Sequence, residues 1–202
     1  MAESRRPLKS RDTRWAKALA AALAARGVTP NGISVAGMVF ATLGAAGLVA
    51  ASFGAVPWFA GLLAGVAGAQ LRLLCNLLDG MVAVEGGLKG KAGDLFNEAP
   101  DRYADIVLLV GAGYSAGAPW LGWMAAAAAV LTAYVRAFGA SLGRGQDFCG
   151  PLAKPQRMFY LTLGCLGAMV HPPVLLWALW LIALGTFFTA VRRVARLYRQ
   201  LP

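Results

Sequence analysis

Long apolar stretches dominate this chain, and their length decides what it can become. Six can be drawn, near 33–53, 57–78, 95–115, 119–139, 157–171 and 174–195. A helix needs roughly 20 apolar residues to cross the hydrocarbon layer of a bilayer. The pattern therefore predicts an all-α integral membrane protein with six transmembrane helices. The fifth stretch is short, and the third carries acidic residues near its start. Apolar residues make up 58% of the chain and charged ones only 14%, against roughly 25% in an average soluble domain. That balance excludes both a soluble globular protein and a disordered one.

The charges are few but ordered. Net charge is +10, yet no basic helix or aromatic-basic stripe stands apart from the apolar runs, so nucleic acid is not the expected partner. The connections near 54–57, 115–119 and 171–173 carry no Lys or Arg. The opposite side carries the N-terminal segment, Lys89, Lys91, Arg144, Lys154, Arg157, and Arg192, Arg193, Arg196 and Arg199. The positive-inside rule places that side, and both termini, in the cytoplasm, with the spans in the inner membrane. Residues 1–28 read as an amphipathic helix on the membrane surface rather than as a cleaved signal. There Trp15, Leu19, Ala22 and Leu23 recur near helical spacing, with Arg11, Arg14 and Lys17 between them. Thr29-Pro30-Asn31-Gly32 breaks that helix, and residues 29–202 form the six-span membrane domain. Cys75, Cys149 and Cys165 have no ligand-like spacing and read as free thiols. His171, before two prolines, reads as a turn residue.

The informative stretch is acidic. Of nine acidic residues, six lie between 79 and 105: Asp79, Glu85, Asp94, Glu98, Asp101 and Asp105. Ionisable groups at the ends of membrane spans are expensive and usually functional. Asn76 and Asp79 are three apart and share a face at the end of the second span. Asn97 and Asp101 are four apart and share a face at the start of the third. Gly80 and Gly86-Gly87 let the chain turn between them. Four oxygen-bearing side chains then converge at one membrane surface, and oxygen donors suit hard cations such as Mg²⁺, Ca²⁺ or Mn²⁺.

The run Asn76-Leu-Leu-Asp79-Gly80-Met-Val-Ala83-Val84, followed by Gly93-Asp-Leu-Phe-Asn97-Glu-Ala-Pro-Asp101, resembles the signature of the CDP-alcohol phosphotransferases. That signature is Asp-x2-Asp-Gly-x2-Ala-Arg-x8/9-Gly-x3-Asp-x3-Asp. The resemblance covers most of the chain, since that family has six spans with the motif across the second and third. It implies a phosphatidyltransferase. A CDP-linked donor, often CDP-diacylglycerol, gives its phosphatidyl group to an alcohol and releases CMP. It also implies Mg²⁺ or Mn²⁺ as cofactor, held at the positions of Asn76, Asp79, Asn97 and Asp101, with Asp101 as the base for the alcohol. Asn31, Asp79, Gly80, Ala83 and Gly93 fall at donor-binding positions. A homodimer is implied as well.

The sequence departs from the signature where the first and third aspartates are Asn76 and Asn97 and the arginine is Val84. Asparagine offers a carbonyl oxygen without charge, so the number of ions is open. A single ion, a second one supported by Glu98 or Asp94, or a larger share of ligands from the phosphates would each meet the change. So would a non-catalytic relative that binds CDP-lipid or a partner protein. Arg72 lies on the same helical face as Asn76 and Asp79, two turns deep. It reads either as a charge partner of the site or as a side chain that snorkels or pairs with Asp105.

A second basic group, Tyr134-Val-Arg136 and then Gly150-Pro151-Leu-Ala-Lys154-Pro155-Gln-Arg157, resembles a segment of the branches that use phosphorylated acceptors. Arg136, Lys154 and Arg157 are the expected acceptor-binding residues, and arginine's rigid fork matches phosphate oxygens. A phosphorylated polyol such as glycerol 3-phosphate or an inositol phosphate is the expected acceptor. A small transporter is disfavoured, because the chain shows no pair of repeated halves with broken helices.

Overall fold

The computed structural model describes residues 13–85 and 91–201, and within them the side chains of all but residues 85, 91–94 and 97. Among the described residues every regular element is a helix: α1 (Arg14–Ala25), α2 (Pro30–Ser52), α3 (Trp58–Glu85), α4 (Lys91–Ser115), α5 (Pro119–Ser141), α6 (Lys154–Ala168) and α7 (Pro173–Tyr198). Six helices thus stand where the six apolar stretches lie. Four of them, α2, α3, α5 and α7, are long and apolar enough to cross a membrane. Two are not: α4 opens on polar residues, and α6 has only 15 residues.

Local signals set the helix starts. Thr29 caps α2 by accepting the Gly32 N–H at 3.1 Å, and Pro30 takes the first helical position, where no N–H is needed. Proline also opens α5 and lies in the first turn of α6 and α7. The positive φ of Gly54 and Gly117 lets the chain reverse after α2 and α4.

Small residues bring the helices close. A Cβ on Gly68 of α3 would lie 2.7 Å from the Gly44 Cα of α2, and one on Gly113 of α4 would lie 2.8 Å from the Gly122 Cα of α5. Such near-backbone contact between spans is what packing in lipid rewards. The main core runs through α2 to α7, with Leu48, Leu62, Leu108, Leu121, Leu161, Leu179 and Ile182 fully buried. Polar bonds tie the bundle laterally: Thr42 of α2 to Tyr103 of α4 at 3.0 Å, and Gln70 of α3 to Thr162 of α6 at 2.8 Å.

The N-terminal helix forms as expected, but its buried stripe is made of small residues. Ala16 and Ala20 are fully buried with Leu77, Leu78, Met81 and Val82 at the end of α3. Trp15 and Leu19 point outward. The helix therefore docks against the end of α3 through Ala16, Ala20 and Leu23 and leaves Trp15 and Leu19 exposed. Residues 1–12, the remainder of the expected surface helix, lie outside the described residues, as do Gly86, Gly87 and Lys89.

Candidate active site

The acidic residues gather at one end of the bundle, where α3 finishes and α2, α4 and α6 begin. A small cleft opens there, lined by Ser34, Gly37 and Met38 of α2, Arg72, Cys75, Asn76 and Asp79 of α3, and Pro100 and Asp101 of α4. Ser34, in the first turns of α2, brings the positive end of that helix to the cleft, which favours an anionic ligand. Pro100 sits within α4 and is buried, so the backbone there lacks one N–H in the wall of the cleft.

Asp79 and Asp101 are both buried, at 6% and 9% exposure, which demands partners. Asp79 accepts a hydrogen bond from the Ser34 hydroxyl at 2.7 Å. Asp101 is paired with the Arg72 guanidinium and the Lys154 ammonium, and Arg102 lies 3.6 Å from its second oxygen. Asn76 joins the set from both sides of its amide. Its NH₂ donates to Asp101 at 3.2 Å, and its carbonyl oxygen accepts from Lys154 Nζ at 3.0 Å. Three helices distant in sequence, α3, α4 and α6, thus close one polar network around Asp101.

Beside the cleft, Arg136 of α5 bonds Glu98 at 2.5 Å and Gln146 at 2.5 Å, and its guanidinium carbon lies 5.4 Å from the Phe148 ring centre. Arg136 and Lys154 therefore flank the α4 start, one reaching Glu98 and the other Asp101. Arg157 does not join them. It is 1% exposed, and it donates to Asp105 at 2.6 Å and to the Leu152 carbonyl at 3.1 Å. Asp105 is equally buried. This pair is an internal strut that pins the start of α6 to α4. The grouping of Arg157 with Arg136 and Lys154 followed from its place in a basic segment. The helical turn between Lys154 and Arg157 sends one side chain to the cleft and the other into the core.

Other expected positions are distributed unevenly. Asn31 lies in the first turn of α2 and does not line the cleft; Ser34, three residues on, does. Gly80 and Ala83 continue α3 beyond Asp79, with Ala83 one turn further along the same face. The side chain of Asn97 and residue Gly93 lie outside the described set, as do the side chains of Glu85 and Asp94. Arg72 pairs with Asp101, not with Asp105. Ser34 is the residue that motif reading misses. Its signal was a hydroxyl in an apolar stretch, one turn into the first span.

Two carboxylates and an amide oxygen are a donor set suited to one hard divalent ion. They fall short of the four carboxylates that the signature offers to two ions. Among the described residues no group of three or more His, Cys, Asp or Glu side chains is close enough to hold a metal. The arrangement can instead orient a carboxylate as a proton acceptor and place several cations against a phosphorylated ligand.

Compared as a sequence, the chain matches no protein-family model and no curated protein. Compared as a structure, it is similar to a phosphatidylinositol phosphate synthase of Mycobacterium tuberculosis. The crystal structure of that synthase with CDP-DAG bound aligns at a TM-score of 0.78 and 22% identity, over 92% of this chain and 94% of that one. The chain has the fold of that synthase. Its complex with manganese and citrate aligns at a TM-score of 0.78 and 21% identity, over 91% of this chain and 88% of that one. The apo form aligns at 0.73 and 22% identity, over 90% and 95%. The all-α architecture that the sequence predicts is thus observed, in the fold of that synthase, with four helices long and apolar enough to cross a membrane.

Proposed function

We propose that the protein is a membrane phosphatidyltransferase that moves a phosphatidyl group from CDP-diacylglycerol to an alcohol and releases CMP. One observation carries the reading. Asp79 and Asp101, from two different helices, line one cleft at the charged end of the bundle, in a fold shared with a synthase crystallised with CDP-DAG. Arg136 and Lys154, beside the cleft, support a phosphorylated polyol such as glycerol 3-phosphate or an inositol phosphate as acceptor. In this reading all six helices from α2 to α7 span the inner membrane and both termini face the cytoplasm. The protein works as a homodimer.

The acceptor hydroxyl meets Asp101, whose carboxylate is oriented by Asn76, Arg72 and Lys154. Asp101 takes the hydroxyl proton as the oxygen attacks the β-phosphorus of the donor. The bond from that phosphorus to the bridging oxygen breaks, and CMP leaves with the electron pair. Mg²⁺ or Mn²⁺, when bound, supplies positive charge at the diphosphate, and Asn76, Asp79 and Asp101 would hold it together with Asn97. Ser34 fixes the Asp79 carboxylate. Gly80, Ala83 and Gly93 give the cytidine close approach to the helix ends, and Asn31 lies at the entrance of α2. Arg136 and Lys154 orient the acceptor phosphate. Positioning and charge neutralisation carry the rate.

The test is CMP release from CDP-diacylglycerol by the purified protein with Mg²⁺ or Mn²⁺. The acceptors are glycerol 3-phosphate, inositol phosphate, inositol, serine and choline, with Asp101→Asn as control. Release that depends on an acceptor and vanishes in the control supports the proposal. A second reading, a non-catalytic binder of CDP-lipid, is favoured by one feature: Asn76 and Asn97 stand where the signature has aspartates. Donor binding with no CMP release under any of these conditions would select it.

A further inference from the structure

Arg72 is a residue that neither the signature nor the acceptor segment assigns. It projects from α3 one helical turn before Asn76, and it lines the same cleft as Ser34, Asn76, Asp79 and Asp101. Its side chain is 3% exposed. One terminal nitrogen pairs with Asp101. The other two nitrogens, Nε and Nη1, are buried with no hydrogen-bond partner among the described residues. A guanidinium presents five N–H donors in a rigid fork, and burying them unmatched is costly. Interiors seldom leave such groups open unless a ligand meets them.

The surrounding network explains why this position holds an arginine. At residue 76 an aspartate would face Asp101 carboxylate to carboxylate and would need a cation between them. Asparagine removes that need, since its NH₂ donates to Asp101. The cleft has thereby lost one carboxylate, and with it one charged ligand for a divalent ion. Arg72 restores a fixed positive charge at the same place. Its planar fork suits adjacent phosphate oxygens, which a single ammonium does not match.

We propose that Arg72 is a donor-binding residue whose unpaired N–H groups take the diphosphate of the CDP-linked donor, doing the work of one of two divalent ions. The site then holds at most one ion. This inference rests on the CDP-donor reading above.

The experiment measures binding rather than turnover. Full-length protein in nanodiscs is titrated with CDP by calorimetry, in EDTA and then in Mn²⁺. Bound Mn²⁺ is counted by electron paramagnetic resonance. Wild type binds CDP in EDTA, and with CDP present it saturates at about one Mn²⁺ per chain. Arg72→Met weakens CDP binding in EDTA by roughly ten- to a hundredfold, the range for hydrogen bonds to charged groups. Arg72→Lys, which keeps the charge and loses the fork, falls between. Two Mn²⁺ per wild-type chain, CDP binding that requires metal, or unchanged affinity in Arg72→Met would each overturn the assignment while leaving the donor reading intact. Because the first two outcomes come from wild type, the proposal stays testable even where a variant fails to fold. No binding of CDP or CDP-diacylglycerol in any condition would overturn the donor reading itself, and this inference with it.

Discussion

Asn76 of α3 donates its amide hydrogen to the Asp101 carboxylate of α4 at 3.2 Å. An aspartate could not make this bond, because an ionised carboxylate only accepts. One of the substitutions that set this chain apart from the signature therefore helps, with the Arg72–Asp101 pair, to join α3 to α4 at the cleft.

Asn76→Asp should reverse that relation. Without metal, two carboxylates meet and the fold loses about 1–3 kcal/mol. With Mn²⁺ the loss is recovered, since a cation now has a stronger site. Thermal unfolding in EDTA and in Mn²⁺ reads both effects. Equal stability of the variant in the two buffers would contradict the argument.

Asp79→Asn and Asp101→Asn should each lower CMP release to below about a hundredth of wild type, the scale of losing a group that acts at the reacting centre. Ser34→Ala removes the 2.7 Å bond to Asp79 together with a 3.2 Å bond to the Pro30 carbonyl within α2. It should cost about 1 kcal/mol, or several-fold in kcat/KM. Monodisperse elution of all three variants separates chemistry from misfolding. Full turnover in either aspartate variant would remove it from the mechanism.

Arg157 and Asp105 form a pair with only 1% exposure on each side. Truncating one partner strands a buried charge, so Arg157→Met should destabilise by about 3–5 kcal/mol. Replacing both together, with Asp105→Leu, should recover most of that loss. Melting curves of the single and double variants check the strut. A single variant as stable as wild type with a raised acceptor KM would return Arg157 to the acceptor site.

Asp147 gives the connection between α5 and α6 an acid-sensitive tie. Burial pushes its carboxyl up, but the hydrogen bonds from the Cys149 N–H at 2.8 Å and the Cys149 thiol, with Arg196 at 3.3 Å, hold it below the usual carboxylate range. A carboxyl depressed by folding contributes stability above its unfolded pKa of about 3.9, and that stability fades as pH falls through the folded value. Hydrogen exchange of residues 142–153 should therefore be flat from about pH 8 to 5 and rise below about pH 4. Asp147→Asn should raise exchange at neutral pH and remove the acid step. Burial first, and then the hydrogen bond to Asp147 and its negative charge, push the Cys149 thiol up against the opposing pull of Arg196. Its alkylation near pH 7 should be slow in wild type and faster in the variant.

Gly68 couples packing to the site. A Cβ there would lie 2.7 Å from both the Gly44 Cα and the Phe40 carbonyl oxygen. Gly68→Val must push α2 from α3, and α2 carries Ser34, the partner of Asp79. Activity should fall with a modest loss of stability of about 1–3 kcal/mol. Restoring turnover without restoring the Gly68 contact would contradict the coupling.

Much of this was legible in the chain itself. Apolar length gives the positions of α2 to α7, four of which are long and apolar enough to cross a membrane, because lipid obliges backbone groups to bond within each span. The spacing of Asn76 and Asp79 puts both on one face of α3, because helical periodicity places residues three and four apart side by side; that Asp101 of α4 joins them was legible only through the resemblance to the signature. What the tertiary structure decided is which charge meets which. Lys154 and Arg157 are three apart in one basic segment, yet one reaches Asp101 and the other is locked to Asp105. Arg72 had two readings until α4 was packed beside α3. Side-chain partners depend on distances between helices remote in sequence, and local periodicity carries no term for them.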